Sequence, residues 1–114
     1  SGLSLMVERG AATGGQIVAT GPMMLGRGDS FVVDSRSARF PGDPRISREH
    51  AEIRPASYGG GWILVHRSTT NKTYINESPV DGERNLQPGD RIRIGDTVLR
   101  VVEAPGVQGD STLR

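Results

Sequence analysis

Three short clusters in this 114-residue chain carry side chains that could do chemistry. The densest is Arg45-Ile46-Ser47-Arg48-Glu49-His50, which holds two guanidinium groups, a hydroxyl and an imidazole. A second is Gly26-Arg27, at the end of the apolar run Met23-Met24-Leu25. The third is Thr70-Asn71-Lys72, just ahead of Thr73-Tyr74-Ile75-Asn76. A phosphate dianion needs a guanidinium for charge-assisted hydrogen bonds. It also needs neutral donors for its remaining lone pairs, which hydroxyls and loop amides provide at low entropic cost. An Asn amide donates and accepts together, as recognition of a peptide main chain requires. Hydrolysis would recruit Ser47, His50 and a carboxylate. No nucleophile elbow or oxyanion glycine run accompanies them. With two His, no Cys and no metal-ligand spacing, neither a metal nor a cofactor is expected. The residue types point to binding, not to an enzyme.

The surrounding sequence predicts what must position these clusters. Sixteen Gly and seven Pro are spread between short apolar runs, which suits many strands and turns. Strands are predicted over 3–9, 16–20, 23–25, 31–34, 51–54, 62–66, 73–75, 91–94 and 97–103. Residues 35–44 read as an irregular polar stretch, 76–82 as a hairpin and turn, and Leu86-Gln87-Pro88-Gly89-Asp90 as a tight turn. About ten short strands with no helical period mean a β-sandwich or barrel. Pro44 ahead of Arg45 and the alternation from Ala51 to Arg54 put the densest cluster on a loop opening onto a strand.

In that order, the clusters resemble the forkhead-associated (FHA) domain, a phosphothreonine-binding β-sandwich. The resemblance runs from about Leu5 to Glu103 and rests on particular motifs. These are Leu25-Gly26-Arg27, Ile46-Ser47-Arg48-Glu49-His50-Ala51-Glu52-Ile53, the Gly61-Trp62 opening of a strand, Thr70-Asn71-x-Thr73-Tyr74-Ile75-Asn76, and the run from Leu86 to Gly95. The resemblance implies an all-β sandwich of about eleven strands in two sheets, with binding loops at one end. It implies that Arg27 is the main phosphate cation, that Ser47 donates its hydroxyl, and that Arg48 and Thr70 approach the phosphate. Asn71 would clamp the peptide backbone, and Arg45 would read an acidic residue beyond the phosphothreonine, with Asp43 close enough to compensate it. His50 would brace the loop from a mostly buried position, beside the structural Gly26.

Three departures stand out. Lys72, counted among the peptide-binding residues, occupies a place where the family usually has Gly, either as a strained left-handed residue or as an added cation beside the phosphate. His66 occupies a place usually filled by Asp, and the stretch from Arg27 to Ser47 is longer than is common. The expected domain is 3–103, followed by a flexible tail or linker over 104–114. A chain opening on Ser-Gly rather than Met reads as an excised domain. With fourteen basic and thirteen acidic residues, a general nucleic-acid surface is not expected. No apolar run approaches a membrane span of roughly 20 residues, so membrane contact is not expected either. A reducing, cytoplasmic setting is expected. The function so expected is phosphothreonine-dependent docking in kinase signalling. The alternative is a phospho-independent interaction domain of the same fold with a degenerate phosphate site.

Overall fold

Alternation of inward and outward side chains accounts for most strands. In Leu3–Arg9 (β1), Leu3, Leu5 and Val7 are buried while Ser4, Met6 and Glu8 face partly outward. Arg91–Ile94 (β11) repeats the pattern, with Ile92 and Ile94 inside and Arg91 and Arg93 outside. The computed structural model describes residues 2–104. It is an all-β sandwich of twelve strands in two six-stranded sheets.

In the first sheet the order is β2-β1-β12-β11-β8-β9. Its further members are Gln16–Ala19 (β2), Thr73–Ile75 (β8), Ser78–Pro79 (β9) and Thr97–Glu103 (β12). The second sheet runs β10-β7-β6-β3-β5-β4. It is built from Met23–Arg27 (β3), Val32–Val33 (β4), Ser37–Phe40 (β5), Ala51–Pro55 (β6), Trp62–His66 (β7) and Glu83–Leu86 (β10). Between the sheets lie Leu5, Ile17, Leu25, Phe40, Ile53, Leu64, Ile92 and Leu99, each at most 1% exposed. Burying one such side chain contributes roughly 1.5–3 kcal/mol, so this layer is what holds the sheets face to face.

Two strands, β5 and β10, depart from the sequence expectation. Residues 37–40, read as irregular, form β5, which runs parallel to β3 with Leu25 opposite Ala38 and Gly26 opposite Arg39. Its inward positions are Ala38 and Phe40, and polar neighbours on both sides mask so short an alternation. β10 is exposed at three of its four positions and owes its strand character to edge pairing with β7. β9 is two residues closing a hairpin on β8. Of the expected tail, Ala104 is described and packs into the core; the rest lies outside the described residues.

Candidate functional site

Strand register brings the three clusters to one end of the second sheet. Leu25 of β3 pairs with Ala51 of β6, and Ala51 pairs with His66 of β7. Residues 26–27 are the last two of β3, residues 45–50 lead into β6, and residues 67–72 leave β7, all beyond that row. The clusters, distant in sequence, are therefore neighbours because three antiparallel strands end together.

His50, fully buried, ties these loops to one another. Its backbone N–H donates to the Leu25 carbonyl at 3.0 Å, and its own carbonyl accepts from the N–H groups of Arg67 and Ser68, each at 3.0 Å. The imidazole Nδ1 accepts the Ser47 N–H at 3.0 Å. A backbone amide can only donate, so Nδ1 carries no proton and Nε2 carries it, donating to the Lys72 carbonyl at 2.9 Å. Burial holds the His50 pKa below the ordinary histidine value and so favours this neutral ring. These are the bonds through which His50 would fill the bracing role that the resemblance implies.

Next to His50 lies a cluster of hydroxyls and amides. Ser68 Oγ accepts the N–H of Thr70 at 3.2 Å and of Asn71 at 3.0 Å. With both lone pairs so used, its O–H is free to donate to Ser47 Oγ, 2.6 Å away. Ser47 Oγ also receives a long contact from Asn71 Nδ2 at 3.4 Å. The Ser47 proton is then left with Thr70 Oγ1 at 3.3 Å as its partner, a weak bond that a phosphate oxygen would replace at little cost. Ser47, Thr70 and Asn71 are thus brought together as the sequence predicts. Ser68 was missed, although a Ser two and three residues ahead of loop amides is a recurrent local cap.

Arg27 lies beside the cluster. Its backbone N–H donates to the Ser47 carbonyl at 3.1 Å and its Nη1 to the Ile46 carbonyl at 2.9 Å, which fixes an otherwise exposed side chain. Gly26 is obligatory here: a Cβ would stand 1.7 Å from the Arg48 carbonyl oxygen, which rests on the strand. Arg39 from β5 crosses the same strand and donates to that carbonyl. With Arg27 and Arg48 it lines an open recess, whose remaining walls are Gly28, Asp29 and Glu49. Arg39 too was missed, because it lies in the stretch read as irregular.

The other predicted residues sit around this centre. Lys72 has an exposed side chain and offers its carbonyl to His50. Among the described residues, the only non-glycine positions in the left-handed region are Asn76 (φ 52) and Glu77 (φ 65), so Lys72 bears no such strain. His66, in the place usually held by Asp, meets the Thr73 hydroxyl at 2.8 Å through Nδ1. Arg45 is exposed and stands 3.7 Å from Asp96, not paired with Asp43. Asp43 is buried and accepts the Thr97 hydroxyl and the Asp96 N–H, each at 2.8 Å. It pins the loop ahead of Ser47 to the β11–β12 hairpin, and so is not available to neutralise Arg45.

Comparison with known proteins agrees with this geometry. The model of the FHA domain family matches residues 23–95. The chain is 30% identical over 98 residues to FhaB, an FHA domain-containing protein of Mycolicibacterium smegmatis, covering 85% of this chain and 58% of FhaB. It is 37% identical over 73 residues to the glycogen accumulation regulator GarA of the same organism, covering 64% of this chain and 43% of GarA. The chain thus spans about half the length of these curated relatives. A solved FHA domain described for phosphothreonine-dependent FHA domain interactions superposes with a TM-score of 0.66 at 30% identity, over 92% of this chain and 99% of its own. The FhaA FHA domain, solved in complex with an intracellular domain, superposes with a TM-score of 0.62 at 31% identity, over 87% of this chain and 98% of its own.

Proposed function

The chain belongs to the FHA family, and from that premise we propose that its loops dock phosphothreonine-bearing segments of kinase substrates. FHA domains are phosphothreonine-binding modules without catalytic activity. In our reading Arg27 is the main phosphate cation and Ser47 the principal hydroxyl donor, with Thr70 and Arg48 at the phosphate's flanks. Asn71 holds the peptide main chain, Arg45 and Lys72 flank it, and Gly26 and His50 keep the loops in place. The observation that carries this reading is the polarity of the hydroxyl cluster. Ser68 and His50 consume the local donors and acceptors so that Ser47 keeps a weakly held proton beside a fixed guanidinium. Such a site gains little from a neutral threonine and much from a dianion.

The proposed setting is the cytoplasm, where ATP-dependent kinases would supply the modification. Nucleic acid and membrane fall outside the proposed partner class, because much of the surface arginine is neutralised locally. Arg67, Arg91, Arg93 and Arg100, for example, each pair with a glutamate. Calorimetric titration of one peptide in its threonine and phosphothreonine forms tests the proposal. Binding only of the phosphorylated form is expected. Equal affinity would instead favour a phospho-independent interaction domain.

A further inference from the structure

We propose that the recess between Arg27, Arg39 and Arg48 is a second anion subsite, which takes an acidic side chain carried by the same peptide next to the phosphothreonine. The proposal rests on the reading of the adjoining hydroxyl cluster as the phosphothreonine site. Three guanidiniums line one recess, and none of them forms an ion pair with a carboxylate among the described residues. Arg45, Arg67, Arg91, Arg93 and Arg100 do, while Arg9, Arg36, Arg54 and Arg84 also form none; what sets the three apart is that they share one recess. Asp29 and Glu49 stand on the same rim, so the concentration of positive charge is partly offset but not bonded away.

Two of the three cations are also held in place. Arg27 is fixed by the Ile46 carbonyl and Arg39 by the Arg48 carbonyl. Each spends one of five N–H donors this way, leaving others for a ligand. Glycine makes this arrangement possible. A Cβ at Gly26 would come within 2.6 Å of Arg39 Nη1, and one at Gly28 within 2.6 Å of Arg39 Cβ. The two glycines flanking Arg27 therefore form a trough along β3 in which the Arg39 stem lies. A preorganised guanidinium loses less entropy on binding than a free surface side chain.

The test uses the whole chain and one phosphothreonine peptide with neutral flanks. Two further versions carry glutamate, or a second phosphothreonine, at single flanking positions. At one of these positions an acidic flank is expected to tighten binding by about three- to ten-fold. Arg39→Gln should abolish that gain, so that neutral and acidic flanks bind the variant alike, and Arg39→Lys should keep part of it. Glutamate and phosphate arms tell a carboxylate subsite from one that requires a second phosphate. Thermal melts of each variant show whether the fold is intact. No gain from any acidic flank, or a gain untouched by Arg39→Gln in a folded variant, overturns the subsite. Should phosphorylation itself make no difference, the proposed function fails. The unphosphorylated acidic peptide then decides the subsite: Arg39-dependent binding keeps it, and its lack removes it.

Discussion

The Ser47 hydroxyl shows how much a single residue's role depends on its neighbours' protons. Ser68, not Ser47, caps the Thr70 and Asn71 amides, which frees Ser47 to serve a ligand. Ser47→Ala should therefore weaken phosphopeptide binding by about 1–3 kcal/mol with stability nearly unchanged. Ser68→Ala should lower both stability and binding, because it strands two loop N–H groups and lets Ser47 turn. Calorimetry paired with thermal melts separates the two, and identical profiles for both variants would refute this division. Arg27→Ala should cost about 2–5 kcal/mol of binding, since it removes a charged partner from a partly desolvated phosphate. Wild-type affinity in that variant would remove the central claim. Lys72 illustrates the limit of motif comparison. Lys in place of the usual Gly suggests either strain or an added cation, and a left-handed backbone is ruled out by the observed conformation. Lys72→Gly should consequently bring no relief of strain. A weaker, less salt-sensitive affinity in that variant would mark Lys72 as a peptide contact.

At the scale of elements, the strands with strict alternation were legible, and those stabilised by tertiary pairing were not. β1, β7 and β11 announce themselves through buried residues at every second position. β5 and β10 do not, because one is short and parallel-paired and the other lies exposed at a sheet edge. The cost of missing β5 was missing Arg39, so an error about an element became an error about the site. The hairpin between β8 and β9 shows the opposite case. It lies within the stretch read as a hairpin and turn, and its two turn residues, Asn76 and Glu77, adopt positive φ as a type I′ turn demands. Glu is poorly suited to that backbone, by roughly 1–2 kcal/mol. Its carboxylate recovers part of this by bonding Arg93 Nε at 3.0 Å, an exposed pair worth about 0.2–1 kcal/mol. Glu77→Gly should accordingly raise stability by about 0.5–1 kcal/mol, the balance of the two effects. Urea denaturation measures this, and a lower midpoint for the variant would mean that the ion pair outweighs the strain.

For the molecule as a whole, the site is held by long-range ties that motif spacing does not reveal. Asp43 bonds Thr97 across 54 residues of sequence, and His50 reaches Lys72 across 22. The order of the motifs announced the sandwich and which loops would meet; the ties that fix those loops needed coordinates. His50 makes this arrangement sensitive to pH. Burial lowers its folded pKa beneath the ordinary 6.5, with His66, 6.3 Å away ring to ring, opposing a second charge and Asp43 weakly favouring one. Below about 6.5 the unfolded chain therefore binds a proton that the folded chain resists. Since the unfolded state holds more protons in that window, stability falls as pH falls. The neutral ring's contribution is complete above 6.5 and is lost as pH drops through the lowered folded value. Protonation also turns Nδ1 from acceptor to donor, which sets it against the Ser47 N–H and loosens the loop that presents the hydroxyl. The carboxylates with lowered pKa act in a separate, more acidic window. Glu8 is held down by the Arg91 guanidinium and Asp34 by the Arg36 and Ser37 amides, with ordinary values of 4.5 and 3.8. Melting temperature should thus decline between pH 7 and 5, above the window in which Glu8 and Asp34 act, and phosphopeptide affinity should decline with it. His50→Gln, though less stable at neutral pH, should show a flatter profile over that range. An NMR titration should find the His50 ring reaching half-protonation only below the ordinary 6.5, and a ring already half-protonated at 6.5 would refute the buried-switch account.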